Sequence, residues 1–121
     1  MSIVVTKGMR SSIKVALFDS LERKLPLTLD DYIDFRCLVS DRDGAKPRIL
    51  IDKRHSQNGI KREGHILRIA LMPEDTLHLF VNPRREEKRR IFEVFGIASN
   101  GYPKLFAETE FYLEESSYYV R

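Results

Sequence analysis

Tryptophan is absent from this chain of 121 residues, cysteine occurs once, and glycine and proline number only six and five. A lone Cys37 closes off both an intrachain disulfide and a cysteine-built metal cluster. The scattered glycines form neither GxxxxGK[ST] nor GxGxxG, so a phosphate cradle is not expected. No uncharged run reaches the length of about 18 residues that a membrane-spanning helix needs. The opening MSIVVTKGMR is apolar for only three residues before Thr6 and Lys7. That is too short for a secretory apolar region, and an intracellular site of synthesis is expected.

Charge of one sign is also scarce in excess. Lys and Arg number 21 against 18 Asp and Glu, a net charge of +3, which is a mild bias and no nucleic-acid signature by itself. With 42% hydrophobic and 32% charged residues, the composition is too apolar for disorder. The length argues for a single domain over residues 1–121, with 114–121 as a candidate flexible tail.

Alternation with a period of two recurs along the chain, while helical periodicity is nearly missing. Ile13, Val15 and Leu17 alternate with Lys14, Ala16 and Phe18. Tyr32 to Val39 places Ile33, Phe35, Cys37 and Val39 on one face, expected to meet the core. Asp41-Arg-Asp-Gly44 then marks a tight turn into a returning strand over Arg48 to Lys53. After the polar break Ser56-Gln-Asn-Gly59, Leu67, Ile69 and Leu71 alternate again, in a strand expected to be covered on both faces. Pro73-Glu-Asp-Thr76 suits a short helical connector near 73–79, with Pro at the first turn and carboxylates at the positive end. Arg90 to Ile97 resumes as a strand with Ile91, Phe95 and Ile97 on one side and Phe92 and Val94 on the other. Ser99-Asn-Gly101 is the strongest hairpin signal in the chain. It leads into a run with Leu105, Ala107, Thr109, Phe111 and Leu113 on an apolar face and Phe106, Glu108, Glu110, Tyr112 and Glu114 on a largely acidic one.

About six to eight strands at this spacing, with no helix long enough for a parallel crossover, predict an all-β antiparallel sandwich. The expected core includes Phe35, Leu67, Ile69, Phe95, Leu105 and Phe111.

Chemistry-bearing constellations are few. His55, His65 and His78 stand in three elements without HExxH or an i, i+4 pair; they read as a solvated loop residue, a strand-edge residue and a partly covered connector residue. Asp41 and Asp43 resemble the start of a calcium loop, but Ala45 stands at the fifth position and Asp52 at the twelfth, so a tight turn explains them better. Cys37 alternates with Ile33 and Phe35, as a small packed residue does. No catalytic constellation emerges, and neither enzyme activity, a cofactor nor a metal is expected. Arg84-Arg-Glu-Glu-Lys-Arg-Arg90 concentrates positive charge. Arg84, Arg85, Lys88, Arg89 and Arg90 are therefore candidate partner-binding residues, together with Tyr118, Tyr119 and Val120, a tail in which the two tyrosine rings are amphipathic and suit an interface. An alternative use of the basic segments 46–62 and 84–90 is to track a nucleic-acid backbone. No aromatic stripe lies in a matching strand to stack bases, which weighs against it. A carbohydrate- or receptor-binding sandwich is a third class, disfavoured by the lack of Trp and of an aromatic platform.

The segments Lys14-Val-Ala-Leu-Phe18, Leu25-Pro-Leu-Thr28, Ile33-Asp-Phe-Arg-Cys-Leu-Val39, Asp41-Arg-Asp-Gly44, Arg68-Ile-Ala-Leu71, Pro73-Glu-Asp-Thr76 and Phe106-Ala-Glu-Thr-Glu-Phe-Tyr-Leu113 come in an order that resembles the immunoglobulin-like β-sandwich domains of tailed-phage virion proteins. The nearest comparison is the amino-terminal domain of baseplate upper proteins and small tail or neck accessory proteins. Two features depart from that pattern: the long charged loop Asn82 to Lys88, and Ala107-Glu-Thr109 where a glycine is common. The resemblance implies a non-enzymatic virion component, made in the host cytoplasm. Its partners would be other virion subunits, in a homo-oligomer or ring, without nucleic acid or membrane.

Overall fold

The computed structural model describes residues 2–18, 28–42, 46–81 and 90–116. Among the described residues there are eight strands: β1 (Ser2–Thr6), β2 (Ser11–Ala16), β3 (Tyr32–Asp41), β4 (Arg48–Arg54), β5 (Ile60–Glu63), β6 (Ile66–Leu71), β7 (Arg90–Ala98) and β8 (Pro103–Glu114). The same residues include one helical turn, α1 (Pro73–Thr76), and a 3-10 turn at His55–Gln57. The connector is thus shorter than the stretch 73–79 that the sequence suggests.

Five strands form one sheet in the order β1-β8-β7-β3-β4, and three form the other in the order β2-β6-β5. All pairings are antiparallel except β1 with β8, which is parallel. Their facing sides enclose an apolar core. Phe35, Cys37, Val39, Phe92, Val94, Phe111 and Leu113 come from the larger sheet, while Ile13, Ile60, Leu67, Ile69 and Leu71 come from the smaller. This is an all-β sandwich with the strand order of an immunoglobulin variable-type domain, in which the larger sheet gains an extra edge strand. Cys37 is a free, buried thiol in the core.

Local chemistry explains the connections. β1 and β2 belong to different sheets, and the chain changes layer at Gly8, whose φ of +75° favours glycine. The amide of Gly8 donates to the buried Thr76 Oγ1 at 2.8 Å, which ties the change of layer to α1. Asp75 accepts from the Met72 amide at 2.7 Å and so caps α1. The predicted hairpin between β7 and β8 is present, with Gly101 at φ +85° and its amide donating to the Ala98 carbonyl. β3 and β4 also form the expected antiparallel pair, while Asp43 and Gly44 of its turn lie outside the described residues.

Three bulges set the faces. Tyr32 pairs with Ala98 and Asp34 with Ile97, so Ile33 is the extra residue on β3. Leu50 is extra on β4 and Phe106 on β8. A single extra residue reverses the sidedness of what lies beyond it. Ile33, expected in the core, is 66% exposed, and Leu105, also expected there, is 45% exposed. Phe106 turns inward instead, edge-on to Tyr32 at 4.9 Å. Phe95 is only half-buried and sits outside the core cluster, whereas Phe92 and Val94 fill it. The remaining core expectations, Phe35, Leu67, Ile69 and Phe111, are all at most 2% exposed. The outer side of β6 is not covered as expected, since Ile66 and Arg68 are half-exposed and Ala70 is exposed.

Candidate interaction surface

Of the residues that the sequence nominates for partner binding, Arg84, Arg85, Lys88, Arg89, Tyr118, Tyr119 and Val120 lie outside the described residues. Arg90 is the first residue of β7, where it stands opposite Asp41 at only 7% exposure. Its parity with Phe92 and Val94 directs it to the inner side of the sheet. At this exposure Arg90 presents little of itself to solvent.

The basic segment 46–62 is largely neutralised within the fold. Arg48 lies 3.7 Å from Asp41, Lys53 Nζ is 2.7 Å from Asp75, Arg54 is 3.8 Å from Asp52, and Arg62 bridges to Asp30. Arg36 adds a two-pronged bond to Asp52, with Nε at 3.0 Å and Nη2 at 2.8 Å. The Arg36 guanidinium beside Asp52 holds that carboxyl below its ordinary range. Burial pushes Asp34 upward, but the hydroxyl and amide of Ser56 and the amide of Phe35 outweigh it, so its carboxyl also ends lower.

The histidines remain apart. His55 is half-buried with its ring edge-on to Phe35 at 5.8 Å, and its Nδ1 is 2.9 Å from the Ile60 carbonyl oxygen, so it is no solvated loop residue. His78, expected to be partly covered, is exposed, with Nδ1 3.2 Å from the Glu74 carbonyl oxygen. His65 sits in the β5–β6 turn against Phe18. Among the described residues no group of three or more His, Cys, Asp or Glu side chains is placed to hold a metal. Cys37 is fully buried, and burial pushes its thiol far above its ordinary value.

What the fold leaves outside is an apolar strip at the β7–β8 hairpin end of the larger sheet. Phe95 pairs with Leu105 and Ile97 with Pro103, all on the side away from the core. Tyr102, 72% exposed, closes the hairpin through its carbonyl to the Ala98 amide, and Ile33 leaves β3 beside the same Ala98. Side chains paired across strands stand about 4.5–5.5 Å apart, so Phe95 with Leu105 and Ile97 with Pro103 form one strip, with Ile33 exposed at the adjoining β3 bulge, while Tyr102, opposite Ala98, alternates to the other side. Sequence reasoning missed it because only the bulges expose Ile33 and Leu105. On the α1 side, Phe80 is 82% exposed.

No protein-family model matches the chain, and no curated protein matches it in sequence. A solved structure of murine CRIg is similar to it, at 14% identity and a TM-score of 0.42, over 96% of this chain and 92% of that one. The sandwich described above rests on its own strand pairing and takes nothing from that likeness.

Proposed function

We propose that this chain is a non-enzymatic adaptor of a tailed-phage virion, a baseplate, tail or neck component that works by docking to other subunits. The observation that supports this reading is the outward strip of Leu105 and Pro103 paired with Phe95 and Ile97, with Ile33 exposed at the adjoining bulge. Contiguous apolar surface on a small folded domain costs solvation and aggregation resistance unless a partner covers it. The kind of partner is taken from the order of sequence segments, which resembles that of virion sandwich domains. The nucleic-acid alternative is weaker, because four cations of segment 46–62 are engaged by carboxylates of the same chain.

Docking of this type needs no strong single contact. In a symmetric assembly, each weak interface raises the effective concentration for the next. The test is mass spectrometry of purified particles from the phage or prophage that encodes the chain. The protein is expected at a fixed ratio to the other tail proteins, and particles with Leu105→Asp are expected to lack it. Complete, infectious particles without the protein would overturn the proposal.

A further inference from the structure

A row of three cations crosses the outer face of the smaller sheet. Lys14 on β2 stands directly opposite Arg68 on β6, and Arg68 stands directly opposite Lys61 on β5. Their neighbours Ile13, Leu67, Ile69 and Ile60 point into the core, so all three cations face outward. Like charges directly opposed across strands destabilise a sheet. Glu63 relieves one of them, accepting from Arg68 Nε at 3.2 Å. Lys14 and Lys61 are exposed and have no ion pair among the described residues.

The opposite outer face carries the other sign. Glu93 on β7 and Glu108 on β8 are directly opposed, and Glu110 and Glu114 follow Glu108 on the same side of β8, because Phe111 and Leu113 alternate inward. Arg42 engages Glu93 at 2.8 Å, and Tyr112 donates to Glu110. Glu108 and Glu114 are exposed. The neighbouring outward residues of β1, namely Ser2, Val4 and Thr6, are neutral. Toward β4, Asp52 offsets Arg36 and lies 3.8 Å from Arg54. The acidic strip is thus confined to β7 and β8, and it has a cationic counterpart on the far side of the same molecule.

We infer that copies of this chain stack face to back, the Lys14–Arg68–Lys61 row of one copy seating on the Glu108–Glu114 strip of the next. This rests on the reading of the chain as an assembly subunit and names one partner as a second copy. The two faces differ, so the contact is heterologous and generates a ring or an open stack rather than a two-fold dimer. The row spans two strand spacings of about 4.8 Å each, on the order of 10 Å, and fits within the length of the acidic strip, since Glu108 to Glu114 covers six residue rises of about 3.4 Å, roughly 20 Å along β8. A nucleic-acid backbone would meet the same row with only a few phosphates.

The test is sedimentation velocity at millimolar protein, in salt of about 0.01 M and about 1 M, where the screening length falls from roughly 30 to 3 Å. The wild-type chain is expected to associate at low salt and to dissociate at high salt. Lys14→Glu with Lys61→Glu makes both faces acidic, and Glu108→Lys with Glu114→Lys makes both basic. Each double variant alone is expected to lose about tenfold or more in association constant, since like charges now meet. An equimolar mixture is expected to regain it by alternating the two variants. Circular dichroism spectra matching wild type establish that both variants fold. A wild-type chain that stays monomeric at low salt overturns the inference and leaves the virion proposal standing. Unchanged association of either variant overturns it as well. Binding of a labelled oligonucleotide that K14E/K61E abolishes, without self-association, would assign the row to nucleic acid instead.

Discussion

Gly96 is the point at which the inward turn of Phe106 can be weighed directly. A Cβ built on Gly96 would stand 2.5 Å from Phe106 Cε2 and 2.8 Å from Tyr32 Cδ1, well inside van der Waals contact. In an ordinary strand position, glycine to alanine is neutral or stabilising, by about 0.4–1 kcal/mol, because it reduces the freedom of the unfolded chain. Here the added methyl must displace two aromatic rings that pack on the core, an overpacking that costs about 1–3 kcal/mol. Gly96→Ala is therefore expected to destabilise by that amount in urea denaturation followed by circular dichroism. The cost should fall sharply in a Phe106→Ala background, with Tyr32 leaving a residue of it. Such coupling between contacting residues amounts to about 0.5–3 kcal/mol. If Gly96→Ala costs the same in both backgrounds, Phe106 does not lie over Gly96 and the bulge on β8 is misplaced.

Other outcomes follow from the same geometry. Phe111→Ala, at a fully buried site, should cost about 3–5 kcal/mol, whereas Leu105→Ala on the outer face should stay within about 0.5 kcal/mol; equal melting temperatures for the two would refute the sidedness. Cys37, buried with its thiol pushed up, should resist Ellman's reagent in native buffer and react only as fast as the protein unfolds; rapid native labelling would contradict its place in the core. Asp34 and Asp52 have folded values below their ordinary ones. Their contribution is complete above the unfolded carboxylate value of about 4 and is lost as pH falls through the lower folded values. Stability should therefore decline below about pH 4, less steeply in Asp52→Asn, and an identical acid profile for wild type and variant would exclude the Arg36–Asp52 pair as a contributor.

The sequence and the fold agree where alternation is long and uninterrupted. The runs at Ile13–Leu17, Phe35–Val39, Leu67–Leu71 and Phe111–Leu113 each place their apolar set inward as the period of two requires. Two strands escaped that reading for physical reasons. β1 is a short parallel edge strand whose partner is the far end of the chain, and β5 has only four residues, Ile60-Lys-Arg-Glu63, of which one reaches the core. Bulges are harder still, since nothing in Tyr32-Ile-Asp34 or Leu105-Phe-Ala107 announces the extra residue. Their effect is to move Ile33 and Leu105 outward, which creates the apolar strip. The opposed charges were equally hidden, because Lys14, Arg68 and Lys61 are far apart in the chain and meet only through the register of β2, β6 and β5. The loop and tail residues nominated for docking remain expectations of the sequence; Arg90 among them stands opposite Asp41 with little exposure.

Zero-length carbodiimide coupling tests the central claim most directly, because it joins an amine to a carboxylate only when the two touch. A mixture of light and nitrogen-15-labelled protein separates contacts between copies from those within one. At low salt, mixed-isotope peptides linking Lys14 or Lys61 to Glu108 or Glu114 are expected, and about 1 M salt should remove them. Cross-links formed only within single copies, at the same concentration and salt, would contradict assembly through the two outer faces.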